Sequence, residues 1–326
     1  MNRRDFITLV GGSPLFSRVV KAQGSAKLWR IGQVRSGSPD QIGPSASALE
    51  HRLTDLGHTI GTDIRIINRF VLPQQVETED AIKELLPNID LLVVWGTLGA
   101  VAARKLASSL PVVFVSVAAP VEMGLVESLA HPGGNMTGIT FEAATETYAK
   151  RLQILKEIAP NLSRVAVLGP AGDLNMSFAI SSIQKAAPLL GLTLLPLPIK
   201  SADDLAATFE VMQSNRADGL LSVAGNLTSV LSRRIAELAL TYQLPSCHPF
   251  RETVIAGGLI SLGPDRVWMA KQAADYVDKI AHGTAPADLP VQQPDRYEMC
   301  LNLQTAKVLH LSVPPTLLAR ADEVIE

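Results

Sequence analysis

The sequence predicts an α/β protein made of two doubly wound, parallel-sheet lobes. Three observations carry that reading. Short apolar runs rich in β-branched residues alternate with helical stretches from Trp29 onward. The alternation breaks at a Gly/Pro-rich bridge, His131-Pro132-Gly133-Gly134-Asn135, and then restarts. The length, 326 residues, suits about two domains of roughly 150 residues each. Strand–helix alternation implies βαβ units, whose right-handed crossovers stack helices on both faces of a buried parallel sheet.

In the first half, Leu28–Val34 reads as a strand and Ser45–Leu56 as a helix stopped at Gly57. Ile64–Phe70 is a second strand, and Thr78–Leu86 a helix closed by Pro87. Asp90–Trp95 is a continuous apolar strand, followed by a helix over Gly99–Ser108 and a strand over Val112–Val117. The bridge at 131–135 is then the expected first passage between lobes.

In the second half, helices are expected over Glu146–Ile158, Phe178–Leu190, Asp203–Gln213 and Ser229–Tyr242. Strands are expected over Arg164–Leu168, Leu192–Leu197, Gly219–Val223 and from Pro245 to His248. Gly257–Gly263 reads as a second passage, leading to a long helix, Asp265–Ala281, that Asp265 can cap. The proline-punctuated stretch Pro286–Pro294 reads as a third. A strand, Glu298–Asn302, and helices over Thr305–Leu309 and Pro315–Ala321 complete the chain. The expected division is 27–139 plus 259–285 for the first lobe and 140–258 plus 286–326 for the second.

Composition narrows the function. Hydrophobic residues make up 47% and charged residues 18%, so the chain can bury a large core and its bulk is not disordered. The net charge of −2 and aromatic content of 5% argue against a nucleic-acid partner. Mean hydropathy is +0.21, yet beyond the N-terminus no apolar run reaches the roughly 20 residues that span a bilayer. The two cysteines, Cys247 and Cys300, fall on apolar strands and are expected as buried free thiols.

The opening Met1-Asn2-Arg3-Arg4-Asp5-Phe6-Ile7 pairs two arginines with a modestly apolar stretch. A small-residue stretch, Ala22-Gln23-Gly24-Ser25-Ala26, follows. That pattern predicts a twin-arginine-type export signal over 1–26, and hence a periplasmic protein. No cysteine stands at the cleavage region, so a lipoprotein is not expected. Losing Arg3, Arg4, Arg18 and Lys21 against Asp5 alone would leave a more acidic chain.

No G-x-S-x-G, phosphate-loop, H-E-x-x-H or G-x-G-x-x-G pattern occurs, and the histidines are scattered. No catalytic residue, metal or cofactor is therefore expected, and the chain reads as a non-enzyme. His248 stands apart because it sits at an expected strand end.

In a doubly wound sheet, ligands bind beyond the carboxyl ends of the strands. Those ends read Ser36-Gly37-Ser38, Gly96-Thr97 after Trp95, and Ser116-Val117-Ala118 in the first half. In the second half they include Ala224-Gly225-Asn226 and His248-Pro249-Phe250. Any one such hydroxyl or amide is explained by helix capping. Repeated on two facing edges, they outline a cleft whose helix N-termini suit an anion.

Several stretches resemble a bacterial family of ABC-transporter substrate-binding proteins. They are the Arg3–Ile7 opening, Pro111–Ser116, Gly124–Leu129, Pro132–Gly138, Ala287–Gln292, Asn302–Lys307 and the ending Val313–Ile325. The family includes tryptophan- and tyrosine-type receptors and is similar in fold to the leucine/isoleucine/valine-binding proteins. The resemblance implies a type I periplasmic binding protein with a three-strand hinge, a small-molecule ligand between the lobes, a permease partner in the inner membrane, and a monomer. Ser36, Thr97 and Ser116 would then hold the ligand from the first lobe, with Gly37, Ser38, Gly96 and Ala118 beside them. Thr140, Asn175, Asn226 and Phe250 would close from the second. Glu142 or Glu252 would pair with an ammonium group, and Trp95 and Phe250 would cover an apolar body. A receptor feeding a membrane sensor, or an enzyme on the same fold, is the alternative.

Overall fold

The computed structural model describes residues 27–142 and 146–326, so the expected export signal lies outside the described residues. Two sheets organise the chain. The first contains β1 (Trp29–Ser36), β2 (Ile64–Val71), β3 (Leu91–Trp95), β4 (Val112–Val117) and β5 (Met136–Thr140). Its order is β2-β1-β3-β4-β5, all parallel.

Both faces of this sheet are covered, which is why β3 and β4 are nearly continuous apolar runs. Alternation sorts their side chains. Leu91, Val93, Val113 and Val115 meet Leu49 and Leu53 of the helix Ala48–Asp55 and Met269, Ala273 and Val277 of the helix Arg266–Ala281. Leu92, Val94, Val112 and Phe114 face the other way, onto Ile82 and Leu85 of the helix Gln75–Leu85 and Ala103 of the helix Gly96–Leu106.

The second sheet contains β6 (Arg164–Pro170), β7 (Thr193–Ile199), β8 (Gly219–Ser222) and β9 (Ser246–His248). It continues through β10 (Ile260–Gly263), β11 (Glu298–Asn302) and β12 (Glu323–Ile325). The order is β12-β11-β10-β9-β8-β6-β7, and only the β10–β11 pair is antiparallel. The expected single helix over Ser229–Tyr242 is instead two, Asn226–Val230 and Ser232–Thr241. Asp265 caps the long helix as expected, accepting a hydrogen bond from the Val267 N–H at 2.8 Å.

The passages between the sheets fall a few residues away from their expected places. The bridge at 131–135 does not leave the first sheet; it turns into β5, where Gly138 lies so close to the Phe114 carbonyl that a Cβ would collide. The first passage therefore follows Thr140. The second follows Gly263, because Ile260–Gly263 is already a strand of the second sheet. The third follows Gln292, which still pairs with Ile139 of β5. Two backbone hydrogen bonds, Thr140 N–H to Gln292 O and Gln292 N–H to Gly138 O, both 2.9 Å, hold the first and third passages side by side. The expected boundaries at 259 and 286 thus shift to about Pro264 and Gln293.

Candidate functional site

The carboxyl ends of the parallel strands in the two sheets face each other across a narrow cleft of about 470 Å³, open solvent included. Arg35 and Ser36 come from the end of β1, Trp95 from β3 with Gly96 and Thr97 starting the next helix, and Ser116 from β4. The second sheet contributes Ala224, Gly225 and Asn226 beyond β8 and Phe250 beyond β9. Phe141 and Arg266 enter from the first and second passages. Ser116 has φ +61° where β4 bulges between Val115 and Val117, a conformation that is uncommon for a residue with a side chain.

Arg35 dominates the electrostatics. Alternation along β1 puts Ile31, Gln33 and Arg35 on one face, so a charge occupies a core position. Its guanidinium lies 3.6 Å from the Trp95 ring centre and donates to Ser45, to the carbonyl at 2.7 Å and to Oγ at 3.0 Å. Trp95 is held in turn by its Nε1–H, which donates to Gln33 Oε1 at 3.2 Å. Among the described residues no carboxylate lies within ion-pair distance of Arg35. Burial and the like charge of Arg266 pull its pKa well below the ordinary arginine value, opposed by Glu252. Arg266 lies 5.3 Å from the Phe250 ring centre, and its Nε is buried without a hydrogen-bond partner. Phe250 and Phe141 pack at 5.9 Å between ring centres.

Asn226 reaches across the cleft. Its Nδ2 donates to Ser36 Oγ at 2.9 Å and to the Trp95 carbonyl at 3.1 Å, and its Oδ1 lies 3.5 Å from the Leu98 N–H. A side chain from the helix after β8 thereby stands at the N-terminus of the helix Gly96–Leu106, where an acceptor is favoured.

A second recess, about 810 Å³ with open solvent included, adjoins the passages and is lined by Ala118, Thr140, Glu142 and Asn175. Glu142 Oε1 is paired with Arg151 Nη1 at 2.7 Å, and Arg151 Nε donates to the Leu262 carbonyl at 2.7 Å. The pair ties the first passage to the end of β10, so the carboxylate expected to meet an ammonium is already engaged. Burial pushes the Glu142 carboxyl up against the pull of Arg151. Asn175 Nδ2 donates to Tyr148 Oη at 2.8 Å and to the Ala224 carbonyl at 2.6 Å.

Of the residues expected from the sequence, Ser36, Trp95, Gly96, Thr97, Ser116, Asn226 and Phe250 line the cleft. Ala118, Thr140, Glu142 and Asn175 line the recess. Gly37, Ser38 and Glu252 line neither. Gly37 instead makes the turn after β1, with φ +96°. Arg35, Phe141, Ser229 and Arg266 also line the cleft and are not among those expected. For Arg35 a signal existed: an arginine inside an apolar strand, immediately before Ser36-Gly37-Ser38.

His248 is a core residue and not a cleft residue. Its ring lies between Ser222 Oγ at 2.8 Å and Ser246 Oγ at 2.9 Å, and burial lowers its pKa to about 3. Cys247 and Cys300 are buried and free, as expected.

The family of ABC transporter substrate binding proteins matches residues 63–325 of the chain. The chain belongs to that family. It is similar to a tyrosine-binding protein of Clostridioides difficile, 24% identical over 79% of this chain and 74% of that one. A conserved domain protein from Vibrio cholerae has a similar structure, with TM-score 0.84, 22% identity, and coverage of 91% and 99% of the two chains. So has an ABC domain from Streptococcus pneumoniae in complex with L-Trp, with TM-score 0.81, 23% identity, and coverage of 90% and 100%. The substrate-binding protein has the α/β architecture expected for a type I periplasmic binding protein. None of its described helices is long and apolar enough to cross a membrane.

Proposed function

We propose that this substrate-binding protein is the periplasmic receptor of an ABC importer for a small carboxylate with an aromatic or apolar body, an aromatic amino acid or aromatic acid. Export by the twin-arginine-type segment 1–26 would deliver it, and a permease in the inner membrane would receive the loaded form. Arg35 carries the reading. It is a buried cation on the cleft wall, stacked on Trp95 and without a carboxylate partner among the described residues. A ligand carboxylate supplies that partner, and a charge-assisted contact out of water is strong. Ser36, Thr97 and Ser116 add hydroxyl donors, while Trp95, Phe141 and Phe250 supply apolar faces. The relatives named for tyrosine and L-Trp support the same ligand class. Binding across the cleft contacts both sheets in one arrangement only, which would draw the lobes together about the three passages.

Thermal denaturation with a panel of aromatic amino acids and aromatic carboxylates tests this. A ligand at 100 times its Kd stabilises by about 2.7 kcal/mol, a clear rise in Tm. A saturable rise for one class, much reduced in Arg35→Met and unaccompanied by consumption of the compound, is the expected result. No rise across the panel, or equal binding by Arg35→Met, would overturn it.

A further inference from the structure

At the end of the long helix away from the cleft, the geometry points to a divalent transition-metal site made by His58, Asp278 and His282. Asp278 and His282 stand one turn apart on the helix Arg266–Ala281 and its C-cap, which places them on one face. His58 follows the helix Ala48–Asp55 and is presented by the turn before β2. Asp278 Oδ1 lies 2.8 Å from His58 Nε2 and 3.1 Å from His282 Nδ1. One ligand atom from each of the three residues falls within 4.8 Å of the others.

The surroundings of His58 are those of a metal ligand. Its side chain is 11% exposed, and its second nitrogen, Nδ1, lies 3.1 Å from Asp63 Oδ2. The other Asp63 oxygen accepts from the Thr59 N–H at 2.7 Å, which fixes the carboxylate. A carboxylate behind a histidine orients the ring and raises its basicity toward a metal. Both ring nitrogens thus face carboxylate oxygens, yet a neutral imidazole has one N–H to give. Whichever nitrogen carries that proton, the other faces a carboxylate oxygen lone pair to lone pair, a contact that a cation between them relieves. A second proton is one such cation; a metal ion is the other.

Charge suits the metal. The two carboxylates, Asp63 and Asp278, bring two negative charges to the cluster, which a dication cancels. A tetrahedral zinc ion with bonds of about 2.0–2.1 Å needs ligand atoms about 3.3 Å apart, so the two contacts with Asp278, 2.8 and 3.1 Å, must open, and the ligand atoms of His58 and His282, within 4.8 Å, must settle at the same spacing. His282 now donates Nδ1–H to the Asp278 carbonyl at 2.9 Å. Its side chain is 70% exposed, so the ring can release that bond or turn to present Nε2. The same exposure leaves further coordination positions to water. Two imidazoles and one carboxylate suit Zn²⁺, and Ni²⁺ or Cu²⁺ in competition. The helix is 16 residues long, so the site lies about 24 Å from Arg266 at the cleft. Metal there pins the turn at 57–63 to the helix without entering the cleft.

The test uses the full-length chain without a histidine tag, stripped with EDTA, dialysed and titrated with zinc chloride at pH 7.5 by calorimetry. The expected result is one zinc ion per chain at micromolar concentration and a rise in Tm that EDTA reverses. His282→Ala, at an exposed position, and Asp278→Asn should each weaken binding at least tenfold. No stoichiometric binding, or binding unchanged in both variants, would overturn the proposal. The ligand-induced Tm rise should survive both EDTA and His282→Ala, so this test fails or succeeds independently of the proposed transport role.

Discussion

Arg35 and Arg151 are both out of water, Arg35 on a strand of the first sheet and Arg151 on the helix that opens the second lobe. Arg151 has Glu142 at 2.7 Å and a backbone carbonyl at the same distance. Although burial opposes its charge, Glu142 keeps its pKa raised. Arg35 has only neutral acceptors and an aromatic face, and its pKa falls. The difference separates two uses of a buried cation. One is neutralised within the chain and braces the passages; the other is left short of a counter-charge where the cleft can deliver one.

Breaking the brace should have the largest effect. Glu142→Gln leaves Arg151 buried and uncompensated, and should destabilise the fold by about 3–5 kcal/mol in urea denaturation. The pair replaced together, Glu142→Leu with Arg151→Met, should recover most of that loss. Single and double variants of equal stability would show that Arg151 is not a brace. Arg35→Met is the converse case. Affinity for the cleft ligand should fall by about 1.5–3 kcal/mol per charge-assisted bond lost, while urea stability is not reduced. A stability loss matching that of Glu142→Gln would merge the two arginines into one structural class.

His248 sharpens the comparison, because it is a base buried by surrendering its proton. Its folded pKa, about 3, lies below the ordinary 6.5. As pH falls below 6.5 the unfolded chain takes up the proton first. The stability is therefore fully present above pH 6.5 and is lost as pH falls toward 3. At pH 5.5 this amounts to roughly a tenfold shift in the folding equilibrium, measurable as a lower urea midpoint than at pH 7.5. His248→Asn should remove that part of the pH dependence. The smallest effect belongs to Asn226→Ala, about 1 kcal/mol, for the hydrogen bonds it makes across the cleft. Small-angle scattering should show a larger radius of gyration. Gly96→Ala should act in the same direction, since a Cβ there would run into the Asn226 amide.

These residues also show what could be read from the chain alone. β4 and β11 appear with their expected ends, Val112–Val117 and Glu298–Asn302, because apolar runs bounded by breakers are local signals. The cleft-lining set Ser36, Trp95, Thr97, Ser116, Asn226 and Phe250 followed from one topological rule about strand ends. The passages were misplaced because β5 and β10 are short and glycine-containing, so their pairing, not their composition, makes them strands. Arg266 carries no local mark: its position beside Phe250 is set by a helix that returns to the first sheet after the second passage. The partnership of Glu142 with Arg151 was hidden for the same reason, since the residue that claims a carboxylate is decided in space.

The two ends of the described chain belong to different sheets. Trp29 begins β1, whereas Ile325 ends β12 at the outer edge of the second sheet. A pair of fluorescent domains fused just before Trp29 and just after Ile325 would ride on opposite bodies. Their energy transfer would then read the separation of the two sheets directly, and the carrier could be turned into a genetically encoded sensor for its own cargo without inserting anything into a loop.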